Sequence, residues 1–180
     1  MHHSYEEYVR LEEFSSVKHE YCDGEIYAMA GGTPEHGALC AEVISQLRPQ
    51  LGTCSVLTSD VKVRIAASDL ATYPDVSVVC GHVERDDTDR TAIVNPAVIV
   101  EVTSPSTVDY DRGAKLGHYT QLASVRTIVI VAHDKRCITV VQRTPRGWET
   151  NEFRAGSQAV ATSPAFVLDV DAVYGVLDRM

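Results

Sequence analysis

Hydrophobic and polar positions along the chain predict alternating helices and strands. Residues 4 to 15 and residues 35 to 48 carry apolar side chains at helical spacing, and Thr33-Pro34 supplies an N-cap and a first-turn proline for the second helix. Between them, HEYCDGEIYAMA has Asp23-Gly24 between two short runs, which predicts a β-hairpin.

The remaining pattern predicts strands around one further helix. SDVKVRIAA alternates, with Lys62 and Arg64 on a face that we expect to be wet. YPDVSVVC and PAVIVEVT predict two more strands, joined by the charged segment GHVERDDTDR, which we expect to be a solvated loop. Residues 109 to 123 predict a helix in spite of two glycines. RTIVIVA, CITVVQR and GWETNEF then predict an antiparallel meander, followed by the apolar Phe166-Val167-Leu168 and a short helix from Asp171.

This order of elements is typical of an α/β fold, borderline with α+β, in which one mixed central sheet is flanked by helices and followed by a C-terminal antiparallel meander. The strand, helix and strand across residues 96 to 131 predict a crossover between parallel strands. A length of 180 residues fits one domain, residues 1–180, with one hydrophobic core.

Composition narrows the class of protein. No apolar run reaches the roughly 18 residues that a membrane span needs, and the N-terminal MHHSYEEYVRLEEF is acidic and amphipathic, unlike a signal peptide. We therefore expect a cytoplasmic protein without a membrane partner. The five cysteines are odd in number and form no C-x-x-C pair, so we expect buried, reduced thiols and neither a disulfide framework nor a thiolate zinc site.

The net charge of −9 argues against a protein that coats nucleic acid through a basic surface. A protein this acidic can still act on DNA if its carboxylates surround a divalent cation, because the cation inverts the local field.

One carboxylate, Glu101, interrupts the apolar strand VIVEVT, where an unpaired charge costs several kcal/mol. Asp75, at the start of the preceding strand, is the candidate partner. Two carboxylates at the same level of neighbouring strands suit Mg²⁺ or Mn²⁺, because such an ion takes one or two carboxylates plus water and substrate phosphate. The sequence therefore predicts a metal site formed by Asp75 and Glu101, of the kind that hydrolyses phosphodiester bonds.

These residues resemble a known pattern. A proline-aspartate on one strand and a D/E-x-K on the next mark the PD-(D/E)XK nuclease superfamily, and this chain has YPD followed by EVT. Four longer blocks, HEYCDGEIYAMAGGTPEHGAL, ATYPDVSVVCG, NPAVIVEVTSPST and YDRGAKLGHYTQ, resemble successive blocks of the Uma-two family of proposed restriction endonucleases. The resemblance extends from about residue 4 to residue 175 and implies a restriction-endonuclease-like fold.

The resemblance also implies roles for particular residues. Thr103 stands where the superfamily has its lysine, and Lys115, which matches the lysine of the block YDRGxK, is the expected replacement that stabilises charge on the phosphate. Glu20 is a further candidate, for the metal shell or for holding a water. His36 is either a core histidine whose hydrogen bonds are satisfied, or a group that contacts a metal ligand or the phosphate. Thr103 is a further candidate for a contact to a metal ligand.

Two further residues have structural interpretations. Asp111 is expected to cap the helix that contains Lys115. Tyr119 stands one turn beyond Lys115 and is expected to pack against its aliphatic stem.

The sequence thus predicts a divalent-metal-dependent endonuclease that acts on nucleic acid, with DNA as the expected substrate and a homodimer as the expected assembly. A catalytically degenerate module that keeps the fold for binding or regulation is the alternative, and the acidic net charge favours it. A phosphoesterase acting on small molecules is a third interpretation, because fold alone does not determine function.

Overall fold

The computed structural model describes residues 2–103 and 113–180. Its α-helices are α1 (Tyr5–Phe14), α2 (Pro34–Gln50), α3 (Ala114–Tyr119) and α4 (Val170–Gly175). Its strands are β1 (His19–Cys22), β2 (Glu25–Ala28), β3 (Ser55–Thr58), β4 (Lys62–Ile65), β5 (Leu70–Thr72), β6 (Val76–Val79), β7 (Ala92–Ile93), β8 (Val98–Val102), β9 (Thr127–Val131), β10 (Cys137–Thr144), β11 (Gly147–Arg154), β12 (Gln158–Thr162) and β13 (Ala165–Asp169). Short 3₁₀ helices span Ala66–Ser68 and Leu177–Arg179. No helix within the two described ranges is long and apolar enough to cross a bilayer.

The first two helices both begin at a capping residue, and the cap of the second, Thr33, is the one that the sequence predicted. The Ser4 hydroxyl accepts a hydrogen bond from the Glu7 backbone, and the Glu7 carboxylate accepts one from the Ser4 backbone, which is a complete capping box. In α2, the Thr33 hydroxyl accepts from the His36 backbone and Pro34 occupies the first turn. These contacts fix the direction in which α2 enters the fold.

The predicted hairpin is confirmed. Asp23 and Gly24 both have positive φ, at 46° and 82°, as a two-residue type I′ turn requires. The turn sets the register of β1 and β2, in which Glu20 lies opposite Tyr27.

The strands form more sheets than the sequence predicted. A five-stranded sheet has the order β2-β1-β5-β4-β7, a six-stranded sheet has the order β11-β10-β9-β8-β6-β3, and β12 pairs with β13. The α/β class, the meander β9-β10-β11 and the parallel crossover from β8 to β9 are confirmed. The predicted mixed sheet flanked by helices is confirmed as the six-stranded sheet, but the sequence did not predict the five-stranded sheet, which residues 73–75 join to it between β5 and β6.

Both faces of the six-stranded sheet are covered. One face packs against α2, α4 and the β12-β13 hairpin, through residues such as Leu39, Val43 and Val100. The other face packs against the five-stranded sheet and α3, through residues such as Ile65 and Ile99. All five residues of β8 are buried as a result, Glu101 among them.

The expectation of a wet face on β4 is wrong. Lys62 and Arg64 are 3% and 7% exposed, because α1 lies across that face of the strand. Lys62 Nζ is 2.6 Å from Asp89 Oδ2 and 4.9 Å from the ring centre of Tyr8, so an ion pair and a cation–π contact both stabilise its charge. Asp89 belongs to the segment predicted as a solvated loop, but it is 4% exposed.

Arg64 is held in the same way. Its guanidinium is 2.5 Å from Asp69 Oδ1 and 3.8 Å from the ring centre of Tyr5. The alternation of the strand was therefore correct, but its charged face is a buried layer between β4 and α1.

The expectation of five reduced thiols is also wrong. Cys54 and Cys80 form a disulfide bond. Ser55 of β3 pairs with Val79 of β6, so the antiparallel register places the next two residues, Cys54 and Cys80, opposite each other. Cys137 is a buried free thiol, whereas Cys22 and Cys40 are partly exposed free thiols.

Candidate active site

A cleft of about 1050 Å³ opens where the two large sheets meet the N-terminus of α2 and the helix α3. Its lining includes all six residues that the sequence singled out for chemistry, which are Glu20, His36, Asp75, Glu101, Thr103 and Lys115. The residues come from both sheets and two helices, so only the folded chain brings them together.

Asp75 lies directly before β6, opposite Glu101 in the antiparallel register in which Val76 pairs with Val100. Residues opposite each other in such a pair project from the same face of the sheet. The Asp75 carboxylate accepts a hydrogen bond of 2.7 Å from the Val102 backbone through Oδ2. This contact fixes the carboxylate at the end of β8.

Glu101 is 4% exposed, and its charge has partners. Lys115 Nζ, on α3, is 3.1 Å from Glu101 Oε1, and the hydroxyl of Tyr119 donates a hydrogen bond to the same oxygen. Burial and the charge of Glu101 both raise the pKa of Tyr119 well above its ordinary value, so the hydroxyl stays a donor. The expectation that Tyr119 only packs against the lysine stem missed this hydrogen bond.

Glu20 reaches the cleft from the five-stranded sheet. It faces Thr72 of β5 across the β1-β5 pair, and the Thr72 hydroxyl donates a hydrogen bond to Glu20 Oε1. Lys115 Nζ is 3.1 Å from that oxygen too. The ammonium of Lys115 therefore joins a carboxylate of each sheet, and with 6% exposure it is no surface lysine.

His36 lies in the first turn of α2 and bridges to the end of β8. Its Nε2 is 3.2 Å from Asp75 Oδ2 and 3.1 Å from the Val102 carbonyl oxygen. Hydrogen bonding to Asp75 raises the pKa of His36 to about 10, so at neutral pH the imidazolium of His36 pairs with the carboxylate of Asp75. The interpretation as a core histidine is wrong, since His36 lines the cleft.

Thr103 is fully buried beside a histidine that the sequence did not single out. The Thr103 hydroxyl lies 3.0 Å from His133 Nδ1 and accepts a hydrogen bond of 3.2 Å from the His133 backbone. Thr103 and His133 follow the parallel strands β8 and β9, whose ends meet at the same sheet edge. That shared edge was a signal in the sequence, because ligands bind outside the carboxyl ends of parallel strands.

Some predicted features lie elsewhere or outside the described residues. Asp111, expected to cap the helix of Lys115, lies outside residues 2–103 and 113–180. Within those ranges α3 begins at Ala114, so the helix predicted for residues 109 to 123 is described only in part.

Asp75 and Glu101 fit a hard divalent cation in chemistry and placement. Both offer carboxylate oxygens on one face of adjacent strands, and Mg²⁺ completes its octahedral shell with water and substrate. Among the described residues, Glu20 does not form a compact three-ligand group with them. It faces Thr72 and Lys115 instead, so the arrangement favours Glu20 as a group beside the cation rather than a ligand.

Comparison with known proteins places this chain in a family. The sequence model of the Uma2 family, described as "Putative restriction endonuclease", matches residues 5–172. Two relatives from Synechocystis sp. are the "Uncharacterized protein slr1290", 34% identical over 94% of this chain and 90% of the relative, and the "Uncharacterized protein sll1609", 30% identical over 74% and 76%.

A solved structure shows the same fold. The crystal structure of "a putative nuclease belonging to DUF820" from Anabaena variabilis superposes with a TM-score of 0.77, covering 95% of this chain and 97% of that chain at 17% sequence identity. The family match spans all residues that line the cleft, from Lys18 to His133, and the chain belongs to the Uma2 family of restriction-endonuclease-like proteins.

Proposed function

We propose that this protein is a divalent-metal-dependent endonuclease that hydrolyses phosphodiester bonds in nucleic acid, with DNA as its substrate. The observation that carries the proposal is the convergence of Asp75, Glu101, Glu20 and a buried Lys115 in one cleft, contributed by two sheets and a helix. The family's description as an endonuclease and the description of the Anabaena structure as a nuclease point the same way.

In this proposal Asp75 and Glu101 hold a Mg²⁺ or Mn²⁺ ion. Such an ion supplies Lewis acidity, which polarises the phosphoryl group and lowers the pKa of a water molecule. Other residues of the chain hold the two carboxylates in position. The Val102 backbone and His36 fix the Asp75 carboxylate, and Tyr119 fixes the Glu101 carboxylate, as outer-shell partners do at metal sites.

Lys115 and Glu20 are proposed to act on the substrate and the attacking water. The ammonium of Lys115 stabilises the negative charge that develops on the phosphoryl oxygens. Glu20, held by the Thr72 hydroxyl, accepts a hydrogen bond from the water and orients it. Lys115 thus supplies from α3 the cation that is missing at Thr103, directly after β8.

The charge around the cleft supports a metal requirement. The four carboxylates of the lining, Glu20, Glu35, Asp75 and Glu101, outnumber its three cations, which are Lys18, Lys115 and the imidazolium of His36. Without a divalent cation this surface repels a polyanion, so binding of nucleic acid is expected to depend on metal. Cutting both strands of a duplex requires two such sites, and a homodimer is the assembly that we propose.

The experiment is a cleavage assay on supercoiled plasmid and on single-stranded DNA, with Mg²⁺, with Mn²⁺ and with chelator. Wild type is expected to cleave only with metal, and Glu101→Gln is expected to be inactive. Glu35→Gln is the matched control, because Glu35 lines the same cleft but is exposed at the N-terminus of α2. Equal activity of wild type and Glu101→Gln would refute the assignment.

A second candidate is a catalytically inactive module that binds nucleic acid or metal. The observation that favours it is Thr103, whose hydroxyl binds His133 where the superfamily has a lysine. Metal binding without cleavage of any nucleic acid by the wild type would select this candidate.

A further inference from the structure

A second group of candidate metal ligands combines His36 and Asp75 of the cleft lining with Cys40, one helical turn from His36 on α2. Among residues 2–103 and 113–180, one set of three histidine, cysteine or carboxylate side chains has its ligand atoms within 4.8 Å of one another: His36, Cys40 and Asp75. We propose that these side chains bind Zn²⁺ or a similar transition-metal ion, which competes with the catalytic cation for Asp75. The competition rests on the proposed function, whereas the binding does not.

The geometry is close to what such an ion requires. His36 and Cys40 lie one helical turn apart on α2, with Nδ1 3.7 Å from Sγ, and His36 Nε2 is 3.2 Å from Asp75 Oδ2. A tetrahedral ion with bonds of about 2.0 to 2.3 Å holds its ligand atoms roughly 3.3 to 3.6 Å apart. Because a single imidazole nitrogen binds the ion, the His36 ring has to turn so that one nitrogen faces both partners. The three ligand atoms, all within 4.8 Å of one another, then close around the ion, and a fourth position remains for water.

Ligand chemistry separates this site from that of the catalytic cation. A thiolate and an imidazole select zinc, cobalt or copper, whereas the oxygens of Asp75 and Glu101 suit magnesium or manganese. The two sites share only Asp75. An ion bound to His36 and Cys40 takes up negative charge of the carboxylate that the catalytic cation also needs, so we expect each ion to weaken the binding of the other.

The ligands hold protons in the metal-free protein. Hydrogen bonding to Asp75 raises the pKa of His36 to about 10, and burial raises the pKa of the Cys40 thiol. Binding therefore releases a proton from the imidazolium and one from the thiol to solvent, as for other thiolate sites.

Titration with Co²⁺ under anaerobic conditions tests the binding, because a cobalt thiolate shows a charge-transfer band and a tetrahedral cobalt site shows intense visible bands. Wild type is expected to show both. Cys40→Ser is expected to lose the charge-transfer band and to bind at least about tenfold more weakly, since even outer-shell contacts are worth about 10- to 100-fold. Cys22→Ser and Cys137→Ser are matched controls that should keep the band.

No charge-transfer band in the wild type, or the same band in Cys40→Ser, overturns the site. Asp75→Asn should weaken Co²⁺ binding, whereas Glu101→Gln should leave the band in place, and loss of the band in Glu101→Gln overturns the proposed ligand set. These absorption readouts need no nuclease activity, so their failure is distinct from failure of the proposed function.

Competition is measured with the same proteins. Excess Mg²⁺ should raise the apparent Kd of wild type for Co²⁺, and Zn²⁺ at concentrations far below that of Mg²⁺ should inhibit cleavage by wild type much more than by Cys40→Ser. Equal inhibition of the two proteins, or Co²⁺ binding that Mg²⁺ does not weaken, overturns the sharing of Asp75.

Discussion

At the residue scale, Lys115 forms ion pairs with two carboxylates at the place where the two large sheets meet. Its ammonium is 3.1 Å from Glu101 and 3.1 Å from Glu20, and all three side chains are largely shielded from water. Replacing such a buried ionic group with apolar side chains is often neutral or stabilising. The charges are therefore better explained by chemistry in the cleft than by stability.

The first prediction concerns Lys115→Ala. Loss of one electrostatic contact to the transition state costs about 10²- to 10³-fold in rate, so metal-dependent cleavage should slow by about that factor while metal binding persists. Single-turnover rates and calorimetry measure the two quantities. Lys135→Ala, in an exposed turn, is the control. A folded Lys115→Ala protein that cleaves as fast as the control would exclude the lysine from the reaction.

The second prediction concerns the hydroxyl of Tyr119. Tyr119→Phe removes the hydrogen bond to Glu101 without removing the ring, and outer-shell contacts of this kind are worth about 10- to 100-fold in metal affinity. Isothermal titration with Mn²⁺ should show that loss. Tyr21→Phe removes a hydroxyl bound to Asp69, outside the cleft, and should leave the affinity unchanged. Equal affinity of the two variants would mean that Tyr119 has no influence on the metal.

At the element scale, β4 shows what a periodic pattern leaves open. The alternation predicts which residues share a face, and Lys62 and Arg64 do share one. It does not predict what covers that face, because α1 and Asp89 are distant in sequence. The sequence predicted that Lys62 and Arg64 face solvent, but Asp89 and Asp69 neutralise them and aromatic rings cover them.

The third prediction is a pH dependence of stability from the Lys62 and Asp89 pair. Burial alone would raise the pKa of Asp89, but hydrogen bonds from Lys62 and Thr91 outweigh it, so that pKa is lowered in the folded protein. A carboxyl group with a lowered pKa stabilises the fold above its unfolded pKa of about 4. That stabilisation is lost as the pH falls through the folded value.

Asp89→Asn should therefore lower the free energy of unfolding near neutral pH by about 3 to 5 kcal/mol, because Lys62 loses its buried partner. The difference from wild type should shrink below about pH 4. Urea unfolding at both pH values measures it. Asp87→Asn, fully exposed in the same segment, is the control. A difference that stays constant with pH would contradict the account.

Local signals predicted most elements well. Caps, turn residues and apolar periodicity act within a few residues, and they located both long helices, the hairpin and the meander. The division into two large sheets and the Cys54–Cys80 disulfide depend on which strands pair, and pairing is set by contacts between distant segments. Those two features were therefore found only in the strand pairing of the folded chain.

At the scale of the whole molecule, the cleft exists only where the two sheets meet. Glu20 belongs to one sheet, Glu101 belongs to the other, and Asp75 lies at the end of the segment, residues 73–75, that joins them. The sequence predicted Asp75 and Glu101 because a buried charge in an apolar strand needs a partner, whereas the resemblance to the family pointed to Glu20. It missed His133 and Cys40, whose placement depends on β9 and α2 packing beside the site.

The fourth prediction is that metal stabilises the fold through Asp75. A ligand that binds only the native state adds about 2.7 kcal/mol when its concentration is 100 times its Kd. Mg²⁺ or Mn²⁺ should therefore raise the Tm of wild type in scanning calorimetry. Asp75→Asn should lose the increase, whereas Asp134→Asn, exposed in a turn, should keep it. A Tm of Asp75→Asn that rises with metal as in wild type would place the ion elsewhere.

The contacts between the two sheets also determine when the candidate site can first form as the chain is synthesised. Its contacts join distant parts of the chain: Thr72 and Glu20 are 52 positions apart, and His36 and Val102 are 66 apart. Contacts of such long range form late and slowly, and a ribosome delivers the N-terminal residues first. Nascent chains that end before β8 lack Glu101 and Lys115 altogether. Under the proposed function, such a chain therefore has no group with which to cut the nucleic acids that surround it during synthesis.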